Sequence, residues 1–137
     1  MLETIAVGTD GSATATKAVE FALDLAEHYN ARVVFVSSYR PVSESRLRQE
    51  QKEAPQELQW SLNPAEDVEE MADQRGLKWT SEAREGDPAD VLVDLAEAHG
   101  ADVLVIGNKG MQRRVLGSVP NSVSHKAKCS VMIVKTT

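Results

Sequence analysis

The strand-like run Asp102-Val103-Leu104-Val105-Ile106 leads straight into Gly107-Asn108-Lys109-Gly110 and, after six more residues, into Gly117-Ser118 and a helix-like segment. Glycines between a buried strand and a helix start let backbone N–H groups converge on one point. There the unpaired donors and the positive helix end favour an anion such as phosphate. Gly107, Gly110, Gly117 and Ser118 are therefore candidate phosphate ligands through backbone amides and one hydroxyl, with Lys109 and Arg113 or Arg114 adding charge. The bland alternative is that such glycines serve only as turns. The spacing Gly-x2-Gly-x6-Gly-Ser is not that of a P-loop, and no Gly-x-Gly-x2-Gly fingerprint follows the first strand. Ordinary P-loop hydrolysis and Rossmann-type dehydrogenation are set aside on that ground.

Charge points the same way. A net charge of −6 argues against general nucleic-acid binding, whose affinity rests on clustered Lys and Arg neutralising phosphates. Residues 109–128 hold five basic side chains and no acid, leaving 10 basic against 21 acidic groups, a net −11, in the remainder. Positive charge thus gathers around the glycine loop.

The elements that must position this loop can be read from periodicity. Residues 4–8 form a short buried strand, and Asp10-Gly11-Ser12 supplies turn and N-cap chemistry for a helix running to about Tyr29, with Asn30 as its stop. A β-branched strand follows over residues 31–38, then a long polar connection over residues 41–63. A helix over residues 64–74 ends at Gly76, and residues 77–83 alternate like an edge strand. Asp87-Pro88-Ala89-Asp90 is the clearest helix start, with Gly100 as its stop. A strand over residues 102–106, a short helix capped by Ser118 and running to about Lys126, and a strand over residues 130–134 complete the chain. This β-α-β-α-β-α-β-α-β order, with apolar strands, predicts an α/β fold: one domain over residues 1–137, a parallel sheet with helices on both faces. In such sheets ligands bind at the carboxyl ends of strands where crossovers diverge. The first and fourth strands both end in glycine followed by polar residues, and as neighbours they would wall one crevice.

Other chemistry is thin. Cys129 is the only cysteine, so no internal disulfide forms and a small core residue is expected. His125 reads as a surface or packing residue, while His28 and His99 fall late in helices, where positive charge suits the dipole. No His/Cys/Asp cluster has metal-ligand spacing. Trp60 and Trp79 are too isolated to stack bases and are expected to cover core or interface surface. A phospho-receiver role fails because Asp10 has no adjacent acid and the third strand ends without an acceptor aspartate. No apolar run approaches the roughly 20 residues needed to span a bilayer, and the N-terminus lacks a secretion signal. The expectation is a cytoplasmic protein without membrane or nucleic-acid partners.

The chain resembles the universal stress protein family along essentially its whole length. The resemblance rests on Ile5-Ala6-Val7-Gly8-Thr9-Asp10-Gly11-Ser12, Gly86-Asp87-Pro88-Ala89, Ala101-Asp102-Val103-Leu104-Val105-Ile106-Gly107, Leu116-Gly117-Ser118-Val119 and Ala127-Lys128-Cys129-Ser130-Val131-Met132-Ile133-Val134. It implies a five-stranded sheet in the order 3-2-1-4-5, a homodimer through the last strand and, in one branch, bound ATP or another adenine nucleotide such as AMP or cyclic AMP. By the same match Gly107, Gly110, Gly117 and Ser118 hold phosphate. Gly8 and Thr9 line the adenosine pocket, Ser38 flanks adenine, and Asn108, Val119 and Pro120 complete the phosphate side. Asp10 lies near ribose or a magnesium ion accompanying ATP, and it is equally suited to a helix cap.

One departure stands out. Residues 111–116 supply six positions where the nucleotide-binding branch has nine. Three residues fewer shorten the loop's maximum reach by about 10 Å. Either this is a plain deletion or the narrower cradle prefers a monophosphate or cyclic nucleotide. The alternative function is a dimeric interaction protein with an empty or vestigial pocket. Enzyme activity is not expected beyond slow ATP hydrolysis, since no positioned general base can be identified.

Overall fold

The computed structural model describes residues 2–9, 13–39, 66–108 and 118–135. Within them strand and helix alternate: β1 (Thr4–Gly8), α1 (Ala13–Tyr29), β2 (Arg32–Tyr39), α2 (Glu66–Gln74), β3 (Trp79–Glu85), α3 (Pro88–Ala98), β4 (Val103–Gly107), α4 (Ser118–Lys126) and β5 (Ser130–Val134). All four ladders are parallel, and the sheet order is β3-β2-β1-β4-β5. Fold class and strand order are as expected. Asp10, Gly11 and Ser12, the polar connection, Trp60, Pro64 and the glycine loop over residues 109–117 lie outside the described residues.

Strand alternation divides the core in two. Ile5, Val7, Val33, Phe35, Val103 and Val105 point to the face covered by α1 and α2, where they meet Val19, Leu23, Val68 and Ala72. Ala6, Val34, Val36, Leu104 and Ile106 point the other way, against Leu92, Leu95 and Val123 of α3 and α4. Burial on both faces explains why these strands read as unbroken apolar runs.

Three helices stop by one device. Asn30, Gly76 and Gly100 adopt left-handed backbone, with φ of 54, 68 and 67°. In each case the next residue donates its N–H back five positions: Ala31 to Ala26 at 2.9 Å, Leu77 to Ala72 at 3.1 Å and Ala101 to Ala96 at 2.9 Å. This closing motif satisfies carbonyls the helix leaves orphaned and aims the chain into the next strand. At the start of α3, Asp87 is in extended backbone and its carboxylate accepts from Asp90 N at 3.4 Å, with Pro88 in the first turn.

Some boundaries move. Sheet pairing of β3 begins at Val33↔Trp79 rather than at residue 77, because Leu77 is used to close α2 and packs against the core. β3 is also wetter than an apolar strand, with Ser81, Ala83, Arg84 and Glu85 exposed at the sheet edge. Ser118 is the first residue of α4 rather than its cap, a shift of one position. Trp79 behaves as expected: its ring lies 6.2 Å from that of Phe35 and its Nε1 donates to Asp73 at 2.7 Å.

The amino ends of β1 and β4 are pinned by Asp102, whose Oδ2 accepts from Glu3 N at 2.8 Å and Thr4 N at 3.0 Å. These two backbone bonds hold the Asp102 carboxyl below its ordinary pKa. A carboxylate with a depressed folded pKa adds stability that is present above its unfolded pKa and lost as pH falls through the folded value. The urea midpoint of the wild-type protein should therefore exceed that of Asp102→Ala at pH 7, and the gap should close on acidification. An equal gap at pH 7 and pH 3 would contradict the assignment.

Candidate functional site

β1 and β4 lie side by side, with Ala6↔Leu104 and Val7↔Val105 in register. Beyond that point their tips part. Thr9 N donates to Val36 O of β2 at 2.9 Å, whereas Asn108 N donates to Val134 O of β5 at 3.0 Å. The helices reached from the two tips pack on opposite faces, α1 against the first core cluster and α4 against the second. In open α/β sheets such a divergence at the carboxyl ends of the strands is where ligands bind. Because α1 and α4 precede strands parallel to β1, their amino ends and positive dipole ends lie at that same end of the sheet.

The polar residues gathered there are unusual for the molecule. Among the described residues three polar side chains are buried, and two of them, Thr9 at 8 % and Asn108 at 3 % exposure, occupy the neighbouring tips. A buried polar group is retained only with hydrogen-bonding partners. No buried side-chain nitrogen or oxygen among the described residues lacks one. Ser38 is half-buried, two positions beyond Val36, the partner of Gly8, and so stands roughly 7 Å further along the crevice. Gly107 is half-buried at the end of β4. Val119 packs against the second core cluster, and Pro120 is buried in the first turn of α4.

Gly8, Thr9, Gly107 and Asn108 are thus brought together, with Ser38 on the adjoining strand. Asp10, Gly110 and Gly117 lie outside the described residues, as does the side chain of Ser118.

Gly8 has a local reason of its own. A Cβ added there would meet Ile106 Cγ2 and both Leu92 Cδ atoms at 3.3 Å. Leu92, read from the sequence only as a core residue of α3, therefore forms the floor behind Gly8. Gly86 plays a related part: at φ 147° a Cβ would come within 2.9 Å of Val91 Cγ2, and its N–H donates to Tyr39 O at 2.9 Å. That bond ties the end of β2 to the start of α3. Lys126 reaches from α4 to Asp90 on α3 at 2.7 Å, and this hydrogen bond raises the lysine pKa. His99 Nε2 lies 2.8 Å from Glu82 Oε1, and this bond holds the glutamate below its ordinary value. Burial pushes the Cys129 thiol up, away from reactive thiolate. No group of three or more potential metal ligands occurs among the described residues. No helix among them is long and apolar enough to cross a membrane.

Fold and site define a doubly wound parallel α/β domain with buried polar residues at its strand-order switch. The Universal stress protein family profile matches residues 1–135, and the chain belongs to that family. It is 38% identical to Universal stress protein Rv1636 of Mycobacterium tuberculosis, over 98% of this chain and 97% of that protein. A universal stress protein in complex with cAMP superposes with a TM-score of 0.77 at 33% identity, covering 99% of both chains. An Arabidopsis thaliana family protein with AMP bound superposes with a TM-score of 0.72 at 18% identity, covering 98% of this chain and 92% of that one, which is a likeness of fold.

Valine at position 8 would overpack the floor, and Gly8→Val should cost about 1–3 kcal/mol of stability. In a Leu92→Ala background the cost should shrink, giving a coupling of about 0.5–3 kcal/mol in a double-mutant cycle followed by denaturation. Strict additivity would mean that Leu92 is not what occupies the space.

Proposed function

We propose that this protein binds an adenine nucleotide in the switch-point crevice and acts as a homodimer whose nucleotide state alters a surface offered to other proteins. The observation that carries the reading is the pairing of buried Thr9 and Asn108 on adjacent, diverging strand tips. Binding of cAMP by a relative 33% identical over the whole chain supports it. In this reading Gly8 and Thr9 line the adenosine pocket and Ser38 flanks the base. Gly107, Asn108, Gly110, Gly117, Ser118, Val119 and Pro120 surround phosphate, with Lys109 and Arg113 or Arg114 contributing charge. Asp10 sits at the ribose, or at magnesium when the ligand is ATP. The reaction expected of such a site is binding, with hydrolysis of ATP at most slow.

The six-residue span between Gly110 and Gly117 favours AMP or cyclic AMP over ATP, because a shorter loop encloses fewer phosphate oxygens. The same feature supports a second reading, a dimeric interaction protein with a vestigial pocket. The dimer itself is proposed through β5. This apolar edge strand has no strand on its outer side among the described residues and no charged side chain from Ser130 to Val134.

Calorimetric titration with cyclic AMP, AMP and ATP, after removal of carried-over ligand, tests the reading. Heat with at least one nucleotide is expected. Gly117→Glu should weaken that binding more than about a hundredfold by placing a carboxylate beside phosphate, with the thermal midpoint little changed. Silence with all three nucleotides would leave the vestigial-pocket reading in place.

A further inference from the structure

The tip of β1 is held differently from the strand behind it. At Val7 the strand has ladder partners on both sides, Val105 of β4 and Phe35 of β2. Beyond Val7 the pairing with β4 ends. Among the described residues the tip is then held laterally by β2, through the Gly8↔Val36 pairing and the Thr9 N–H donated to Val36 O at 2.9 Å. Gly8 has no side chain with which to anchor itself, and glycine has the widest backbone freedom of any residue. Its height relative to the sheet must be fixed by a neighbour.

That support comes from α3. A Cβ at Gly8 would stand 3.3 Å from both Leu92 Cδ atoms and from Ile106 Cγ2, so these methyls lie within about 5 Å of the Gly8 Cα. Ile106 belongs to the sheet and is paired with Ile133 of β5, whereas Leu92 reaches Gly8 from the helix layer. The turns that carry Leu92 are themselves tied down. Asp87 caps α3 through Asp90 N, Gly86 N donates to Tyr39 O at the end of β2, and Asp90 meets Lys126 of α4 at 2.7 Å. The start of α3 thus braces elements that carry Gly8, Ser38 and Val119 of the proposed site.

We propose that Leu92 is a positioning residue for nucleotide binding, holding the Gly8 and Thr9 tip at the height from which it meets the adenosine part of the ligand. The inference rests on the nucleotide reading and deepens it, with Leu92 acting through Gly8. Preorganisation is the physical link. A tip free to settle after loss of the Leu92 methyls must be ordered again when ligand binds, and that cost is subtracted from affinity. Because the displaced residues lie on the adenosine side, the loss is common to ligands with different numbers of phosphates. Leu95 supplies the contrast. It is 0% exposed in the same core cluster, one turn on in the same helix and about 4.5 Å along its axis. Since α3 runs back from the carboxyl end of the sheet, Leu95 sits further from the tip, and truncating it opens a core cavity without removing the support of Gly8.

Calorimetric titration of cyclic AMP, AMP and ATP into the wild type, Leu92→Ala, Leu92→Met and Leu95→Ala tests this, with circular dichroism confirming that each chain is folded. Leu92→Ala should weaken every nucleotide that the wild type binds by one common factor of at least about fivefold. Leu92→Met, which refills the space, should stay within about twofold, and so should Leu95→Ala although its thermal midpoint falls at least as far as that of Leu92→Ala. If Leu92→Ala does not fold, Leu92→Val takes its place, with an expected loss of about threefold. Equal losses at positions 92 and 95 would overturn the inference, as would a loss that grows with the number of phosphates. Wild-type affinity in a folded Leu92→Ala would overturn it while leaving nucleotide binding intact. A wild type silent with all three nucleotides would overturn both.

Discussion

Two backbone hydrogen bonds pulling in opposite directions underlie the candidate site. β1 and β4 are partners up to Val7 and Val105, after which Thr9 N turns to Val36 O and Asn108 N to Val134 O. Each tip satisfies its donor on its outer neighbour, so neither closes the gap between them. With α1 leaving to one face and α4 returning on the other, no described element is obliged to cover that gap. The order of the strands thus sets two buried polar side chains on diverging tips, beside the amino ends of α1 and α4.

The rest of the fold serves to hold those tips still. Cores on both faces bury β1 and β4 completely apart from their ends, and at the far end Asp102 bridges the two strands through Glu3 and Thr4. The shared helix-closing motif at Asn30, Gly76 and Gly100 feeds three strands into the sheet at definite places. Packing also sets which residues can stand at the crevice. At Gly8 an added Cβ would press on the Leu92 and Ile106 methyls at 3.3 Å, a packing constraint independent of any ligand.

The sheet's two edges are treated differently, and this bears on how a site could be coupled to partners. β3 is short of apolar surface, charged, and tied to α3 through Glu82 and His99. β5 is apolar, half-exposed and in direct ladder contact with β4, whose Gly107 pairs with Val134. Asn108 N is bonded to that same Val134, so the crevice tip and the open edge share one strand end. Association along β5 would thus bear on the backbone that positions Asn108.

Periodicity and punctuation in the amino-acid sequence determined the element order, the parallel sheet and the helix stops. Doubly buried strands must be apolar throughout, and helix ends need residues that accept left-handed backbone. The glycine and polar residues after β1 and β4 were legible for the same local reason. Ser118 and the start of β3 were placed within one or two positions, the errors arising where Leu77 and the first turn of α4 answer to packing rather than to local pattern. Only the tertiary structure decided that the tips of β1 and β4 diverge and that Leu92 is the floor behind Gly8. Those facts depend on contacts between residues far apart in the chain, whose spacing leaves no periodic trace.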